Sequence, residues 1–202
     1  MIKIVDYGLG NVHAFVNTYK RLNIALGVAT CAADLADATK VILPGVGAFD
    51  HAMDLLEQSG MRQALDELVL GKHTPVLGIC VGMQILGRRS DEGLKRGLEW
   101  VDGEVRALRS QVNGLSLPHM GWNDIRAERA TPLLRDLTDS ARFYFLHSFY
   151  FHCDRPSDVA ATCTYGIDFC CALQAGNVYG VQFHPEKSHH NGAQLLRNFA
   201  EL

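Results

Sequence analysis

Short apolar segments alternate with helical patterns through the first ninety residues, and this alternation limits the fold more than any other feature. The apolar segments cover residues 2–5, 26–29, 41–43 and 75–79. Between the first two segments, one helix face is formed by Val12, Phe15, Val16 and Tyr19. Uninterrupted apolar strands alternating with helices are typical of a buried parallel sheet. The sequence therefore predicts an α/β fold with a mainly parallel sheet flanked by helices.

The second half of the chain is rich in short β-type runs separated by turn residues. These runs cover residues 100–108, 115–117, 142–151, 159–164, 169–174 and 178–183. The helical patterns cover residues 49–70 with a break near Ser59-Gly60, the start of a helix at residues 83–86, and an amphipathic helix at residues 191–202. The β-type runs indicate mixed or antiparallel strands added to the sheet. We expect one domain over residues 1–202.

Composition and charge argue against several classes of function. The formal net charge is -3 and the pI is about 6.3, without the basic footprint of a nucleic-acid-binding protein. No apolar run approaches the roughly 18 residues of a membrane helix, and Asp6 comes too early for a signal peptide. We therefore expect a cytoplasmic protein without nucleic-acid or membrane partners. Reduced thiols, without disulfides or a structural metal, are expected at Cys31, Cys80, Cys153, Cys163, Cys170 and Cys171.

The run Gly78-Ile79-Cys80-Val81-Gly82 has the form of a nucleophile elbow with cysteine in place of serine. It lies between a predicted buried strand and a predicted helix, where such an elbow belongs. A sharp turn strains the central residue, and side chains in place of the flanking glycines would clash. The N-terminus of the helix would favour the reactive thiolate of Cys80. The alternative is a buried cysteine that packs beside two glycines.

A thiol nucleophile needs a base, and the base needs a group that orients it. His184 follows a β-rich run, and Glu186 lies two residues further on, across the stiff Pro185. This spacing allows the carboxylate to fix the imidazole tautomer and to stabilise the imidazolium. The alternative is a surface histidine near a solvated glutamate. His147 is a second candidate base, whereas His189-His190 is expected to be exposed.

The turn Pro44-Gly45-Val46-Gly47 follows the predicted strand at residues 41–43, which Pro44-Gly45 is expected to stop. Ligand sites of parallel sheets form at the carboxyl ends of the strands, so this turn and the cysteine turn should lie at the same edge. Glycines there leave backbone N–H groups free to stabilise an oxyanion. Taken alone, the same residues describe an ordinary turn.

Six segments spread over the chain carry a family resemblance. They cover residues 6–11, 43–49, 78–84, 118–123, 144–148 and 180–188. Together they resemble the class I glutamine amidotransferases, which use a cysteine, histidine and glutamate triad. The Asp-Tyr-Gly-x-Gly-Asn, Met-Gly-Trp-Asn and Pro-Glu-Lys-Ser runs are similar to the glutaminase subunits of imidazole glycerol phosphate synthase. The resemblance implies a flavodoxin-like fold, glutamine hydrolysis without metal or cofactor, and a (β/α)8 barrel cyclase partner of the HisF type.

The resemblance also implies roles for individual residues. It implies a triad in which Cys80 is the nucleophile, His184 the base and later acid, and Glu186 the orienting group. The oxyanion hole is expected from the backbone N–H groups of Val46, Gly47 and Val81. Glutamine is expected to be bound by Gln84, Glu92, Ser148 and Phe149. The face toward the partner is expected to include Asn11, Trp122, Asn123, Tyr144 and Lys187.

Three departures from the family pattern leave the acceptor of the ammonia open. Phe149 stands where the family often has tyrosine, Arg88-Arg89 is more basic than usual, and the residues after Ser188 differ. These features are similar to a paralogous branch of surface-polysaccharide clusters, which supplies ammonia for sugar modification. Further alternatives are another cysteine hydrolase on a similar sheet and a non-catalytic interaction subunit. The length of the matching sequence argues against the former, and the complete triad argues against the latter.

Overall fold

The first half of the chain forms the parallel sheet that its sequence predicts. The computed structural model describes residues 1–110, 114–138 and 141–202. Five strands lie side by side and parallel, in the order Leu26–Ala29 (β2), Ile2–Val5 (β1), Lys40–Gly45 (β3), Val76–Cys80 (β4) and Val178–Val181 (β12). β4 and β12 are buried at every position. Because Val181 pairs with Ile79, the residues after β12 emerge at the same sheet edge as Cys80.

Five α-helices accompany these strands in the described part of the chain. They are α1 (Val12–Arg21), α2 (Phe49–Gln58), α3 (Arg62–Asp66), α4 (Val81–Gln84) and α5 (His189–Ala200). α1 begins after Asn11, whose side-chain oxygen accepts a hydrogen bond from the Ala14 N–H at 3.2 Å. Its apolar face buries Phe15 and Tyr19. The Tyr19 hydroxyl donates to the Leu196 carbonyl at 3.0 Å, which joins the first helix to the last.

The second half of the chain adds antiparallel strands beyond β12. These are β5 (Gly103–Ala107), β7 (Arg126–Ala127), β9 (Phe149–Cys153), β10 (Val159–Tyr165) and β11 (Ile167–Ala175). β11 pairs with β12, β10 and β9, while β5 continues from β9. β6 (His119–Asp124) and β8 (Arg142–His147) form a separate two-stranded sheet. The predicted α/β class with a mixed sheet is confirmed.

Two predicted strands of the second half are wrong. Residues 115–117 form no strand, because the Ser116 carbonyl accepts from the Tyr165 hydroxyl and strand pairing begins only at His119. Residues 142–151 form two strands instead of one. The backbone changes partners at Ser148, since β8 pairs with β6 and β9 pairs with β5 and β11.

Two predicted boundaries near the cysteine turn are also wrong. The third strand does not stop at Pro44-Gly45, since these residues continue β3 and pair with Ile79 and Cys80. The helix expected to open at residues 83–86 is the single turn α4. The carbonyls of Ile85 and Leu86 accept from the N–H groups of the loop at residues 98–101. This loop takes the acceptors that a longer helix would need.

The six cysteines are free thiols, as predicted. The sulfurs of Cys153 and Cys170 lie 3.8 Å apart, which is a hydrogen-bond contact and not a disulfide. Among the described residues, no helix combines the length and apolar character needed to cross a membrane. The same residues contain no group of three or more His, Cys, Asp and Glu side chains arranged to hold a metal ion.

Candidate active site

Cys80 ends β4 in a strained backbone conformation, with φ 55° and ψ -113°. The strain persists because the turn is packed backbone against backbone. A Cβ on Gly82 would lie 1.9 Å from the Leu43 carbonyl oxygen, and one on Gly78 would lie 2.6 Å from the Gly82 oxygen. The two glycines are therefore steric requirements of the elbow, as the sequence predicts. Because α4 has only four residues, the elbow has the N–H groups of a first helical turn but not the dipole of a long helix.

His184 and Glu186 meet as their spacing predicts. The Nδ1 of His184 donates to Oε1 of Glu186 at 2.9 Å, and both side chains are buried. Burial opposes a charge on His184, but hydrogen bonds with Cys80 and Glu186, and the charges of both, outweigh burial and raise its pKa to about 10. His184 is therefore protonated near neutral pH. The Ser188 hydroxyl donates to the His184 carbonyl at 2.6 Å and accepts from the Tyr144 N–H, which fixes this turn against β8.

His147, the second candidate base, is held in another way. Its Nδ1 lies 2.8 Å from the Phe149 carbonyl, and its Nε2 lies 2.9 Å from Nδ1 of His119. Burial, with a smaller contribution from the charges of His119 and His184, lowers its pKa to about 3 despite the bond to Phe149. Both ring nitrogens are engaged, so His147 is poorly placed to take a proton from Cys80.

A cavity of about 280 Å³ opens beside the nucleophile, large enough for an amino-acid side chain and its head group. It brings together all the residues predicted for the oxyanion hole and for glutamine binding, along with Cys80 and His184. Sequence reasoning did not place Pro118, Leu146 and His147 on its wall, and it placed Lys187 on the partner face only. The complete lining is Val46, Gly47, Cys80, Val81, Gln84, Glu92, Pro118, Leu146, His147, Ser148, Phe149, His184 and Lys187.

Two long-range hydrogen bonds fix the segment that contains the predicted oxyanion turn. The Tyr7 hydroxyl donates to the carbonyl of Pro44, the first residue of the turn, at 2.8 Å. After the turn, the Phe49 N–H donates to Oε2 of Glu92 at 2.8 Å. Glu92 is therefore held on the cavity wall by the first residue of α2. Gly47, within the turn, has a φ of 93°, a conformation that favours glycine.

Gln182 is a neighbour of Cys80 that sequence reasoning missed. Its Nε2 donates toward Sγ of Cys80 at 3.7 Å, and its Oε1 accepts from Nε2 of Gln84 at 3.1 Å. The same Gln84 nitrogen donates to the Phe149 carbonyl at 3.1 Å. Gln182 is 0% exposed within the apolar run of residues 181–183. A polar residue in such a run was the available signal, since buried amides need partners.

The residues predicted to face a partner divide into two groups. The ring of Trp122 stacks on exposed His189 with centroids 5.1 Å apart. It also makes an edge contact with the ring of Tyr144. The Lys187 ammonium lies 5.6 Å from the centroid of the Tyr144 ring. We call Trp122, Tyr144, Lys187 and His189 the aromatic patch. Asn11 instead caps α1. Asn123 lies on the opposite face of β6 from Trp122, and its amide donates to the Thr164 carbonyl.

Comparisons with known proteins identify the family of the chain. The family described as "Glutamine amidotransferase class-I" matches residues 3–202. The chain belongs to this family. A class-I glutamine amidotransferase is an enzyme of one defined chemistry, so the alternative of an unrelated cysteine hydrolase is excluded. Among the relatives, "Imidazole glycerol phosphate synthase subunit HisH" of Bdellovibrio bacteriovorus is 57% identical over 204 residues, covering 100% of both chains.

One further relative and one solved structure extend the comparison. The protein of the same name from Leptospira interrogans is 50% identical, again over 100% of both chains. The solved "Structure of PurLQS from Thermotoga maritima" superimposes with a TM-score of 0.76 at 16% identity, covering 99% of this chain and 97% of that chain. At this low identity the solved structure shows the shared fold alone.

Proposed function

We propose that this chain is the glutaminase subunit of an imidazole glycerol phosphate synthase, acting in histidine biosynthesis in the cytoplasm. The observation that carries the proposal is one cavity that brings together Cys80, His184, Gln84 and Glu92, with Glu186 hydrogen-bonded to His184. The two full-length relatives carry the name of this synthase subunit, and neither is named for sugar modification. This supports the histidine pathway over the polysaccharide alternative.

The first half of the reaction forms a thioester. The Cys80 thiolate attacks the side-chain amide carbon of glutamine, and the negative charge moves to the amide oxygen. Backbone N–H groups of Val46 or Gly47 and of Val81 stabilise this oxyanion. The His184 imidazolium gives its proton to the nitrogen, the C–N bond breaks, and ammonia leaves. Glu186 stabilises the imidazolium until the proton is transferred.

The second half of the reaction restores the enzyme. Neutral His184 takes a proton from water, whose oxygen attacks the thioester carbon. The C–S bond breaks, glutamate is released, and Cys80 is again a thiolate beside an imidazolium. The net change is glutamine and water to glutamate and ammonia. In this proposal thiolate and imidazole supply the nucleophile and the proton, so the step needs no metal or organic cofactor.

Substrate selection rests on the charges of the cavity wall. Glu92 is the carboxylate that binds the α-ammonium group of glutamine, since the Phe49 N–H holds its Oε2 in place. The backbone of Ser148 and Phe149 binds the α-carboxylate end. Gln84 contacts glutamine through Oε1, because both hydrogens of its Nε2 are donated to Phe149 and Gln182. Phe149 has no hydroxyl to contribute, and its carbonyl already accepts from His147 and Gln84.

The released ammonia passes to a separate subunit in this proposal. The partner is a (β/α)8 barrel cyclase of the HisF type, which forms imidazole glycerol phosphate and an aminoimidazole carboxamide ribotide. The aromatic patch supports the docking face, because Trp122 is 43% exposed on β6 next to Met120, which is 65% exposed. Asn11, which caps α1, and Asn123, on the other face of β6, lie outside the aromatic patch, and their place in the docking face stays a prediction of the sequence.

Product analysis tests the proposal. The chain is mixed with its candidate barrel partner, glutamine and the ribonucleotide substrate, and products are separated and identified by mass. We expect imidazole glycerol phosphate and the carboxamide ribotide in equal amounts, with one glutamate per turnover. Glutamine hydrolysis without either product, together with amination of a sugar by a different partner, would contradict the histidine-pathway assignment.

A further inference from the structure

Two buried histidines that take no part in the triad, His119 and His147, face each other across β6 and β8. They are opposite residues in the strand register, and Nδ1 of His119 lies 2.9 Å from Nε2 of His147. The His119 ring is also stacked between Phe145 and Tyr165, with centroids 4.8 and 4.1 Å away. Buried polar groups are costly unless each finds a partner, so this pair needs a physical reason.

The surroundings fix the tautomers of both rings. Nδ1 of His147 lies 2.8 Å from the Phe149 carbonyl, which only accepts, so this nitrogen carries the hydrogen. In a neutral ring Nε2 is then an acceptor, and His119 must donate to it through Nδ1–H. Nε2 of His119 is in turn an acceptor, and it faces Nδ2 of Asn123 at 3.3 Å, a group that only donates. Each hydrogen bond from Asn123 through His119 and His147 to Phe149 therefore joins one donor to one acceptor, and all three bonds point the same way.

The inner end of this series reaches the nucleophile. The Phe149 carbonyl accepts from both His147 and Nε2 of Gln84. The Gln84 nitrogen also donates to Gln182, whose Nε2 donates toward Sγ of Cys80. The carbonyl of Phe149 is therefore the junction between the histidine pair and the wall of the cavity.

The outer end of the series lies on β6. This strand alternates its side chains between two faces, so that Met120 and Trp122 are exposed while His119 is buried. Asn123, on the inner face with His119, is fixed by donating to the Thr164 carbonyl at 3.0 Å and by accepting from the Asp124 N–H at 2.9 Å. One strand thus presents its outer face to the proposed partner and its inner face to the active-site wall.

We propose that His119 and His147 are positioning residues that hold the glutamine-binding wall through this hydrogen-bond series, anchored on the partner-facing strand β6. The inference rests on the proposed function, because it gives β6 two tasks in the same complex. Docking on Trp122 sets the position of β6. The hydrogen bonds of the histidine pair then set the position of the Phe149 carbonyl relative to β6. Burial lowers the pKa of His119 to about 4, and the pKa of His147 is also low, so the pair stays neutral and keeps one bond direction.

Kinetics of three variants in the complete complex test the proposal. His119→Phe keeps a ring between Phe145 and Tyr165 but removes both hydrogen bonds, and we expect KM for glutamine to rise about tenfold with a smaller change in kcat. His119→Asn keeps a donor near the position of Nδ1, so KM should return to within about threefold of wild type. Tyr165→Phe is the matched control from the same stack and should behave as wild type. A wild-type KM for His119→Phe, or no rescue by His119→Asn, would overturn the proposal.

A spectroscopic measurement keeps the test decisive if a variant folds poorly. The wild-type chain is labelled with ¹⁵N at histidine, and ring nitrogens are assigned by NMR at pH 7, alone and with the barrel partner. We expect His119 and His147 to be neutral Nδ1–H tautomers. An Nε2–H tautomer or a protonated ring at either position contradicts the series. Failure of the proposed function is distinguishable, because the wild-type complex would then lack glutaminase activity while these tautomers remained.

Discussion

The cysteine turn and the β6–β8 sheet border the same cavity but are stabilised in different ways. The turn is held by close backbone packing, with Gly82 against the Leu43 carbonyl and a strained φ at Cys80. The β6–β8 sheet is held by a backbone ladder of six residue pairs, with one side-chain hydrogen bond between His119 and His147, and it leaves Trp122 exposed. The turn has one possible arrangement, whereas the sheet contains surface that a partner is able to cover. The reacting thiol therefore lies in the tightly packed turn, whereas the exposed aromatic ring lies on the β6–β8 sheet.

The largest effect is expected from removing the nucleophile of the rigid region. Cys80→Ala should lower glutamine hydrolysis by the complex about a thousandfold or more, because no other thiol lines the cavity described here. Synthesis supported by free ammonium should continue, since the partner's chemistry is untouched. Cys31→Ala removes an exposed thiol and is the control. Glutamate release by Cys80→Ala at the wild-type rate would contradict the assigned nucleophile.

A substitution in the backbone packing tests the rigidity of the turn. In Gly82→Ala the new Cβ would meet the Leu43 oxygen at 1.9 Å, so β3 and α4 would have to separate. We expect the free energy of unfolding to fall by about 3 kcal/mol, measured by urea denaturation. Gly71→Ala, whose Cβ would lie 3.8 Å from Glu67, should change it by less than about 1 kcal/mol. Equal free energies of unfolding for the two variants would mean that the turn accommodates the added methyl group and is not rigid.

The smallest of these effects concerns the exposed side of the β6–β8 sheet. Trp122→Ala removes the ring that stacks on His189, and we expect the dissociation constant for the barrel partner to rise about 10- to 100-fold, as for an aromatic hot spot. Leu94→Ala is the control, because Leu94 is 98% exposed and lies outside the aromatic patch. Unchanged affinity in Trp122→Ala, measured by calorimetry, would place the docking face elsewhere.

Sequence reasoning succeeded where neighbouring residues determine the local structure. The strands at residues 2–5 and 26–29, the helix between them and the elbow at Cys80 follow from apolar periodicity and glycine positions, and each is present. It failed at residues 115–117, where an apolar run has no strand to pair with. It also failed at α4, whose last carbonyls are taken by a distant loop. In both cases the deciding partner is remote in the sequence.

The sequence by itself determined the chemistry: a strained cysteine between obligatory glycines, and a histidine joined to Glu186 across one proline. These relations are local, because they depend on sterics and spacing over two to five residues. Only the tertiary structure decided that Gln182 lies beside Cys80, 102 residues away, and that His119 bonds His147 across β6 and β8. Such contacts depend on the register and order of strands, which no short segment encodes. The support around the nucleophile, and its connection to the β6–β8 sheet, are therefore properties of the fold.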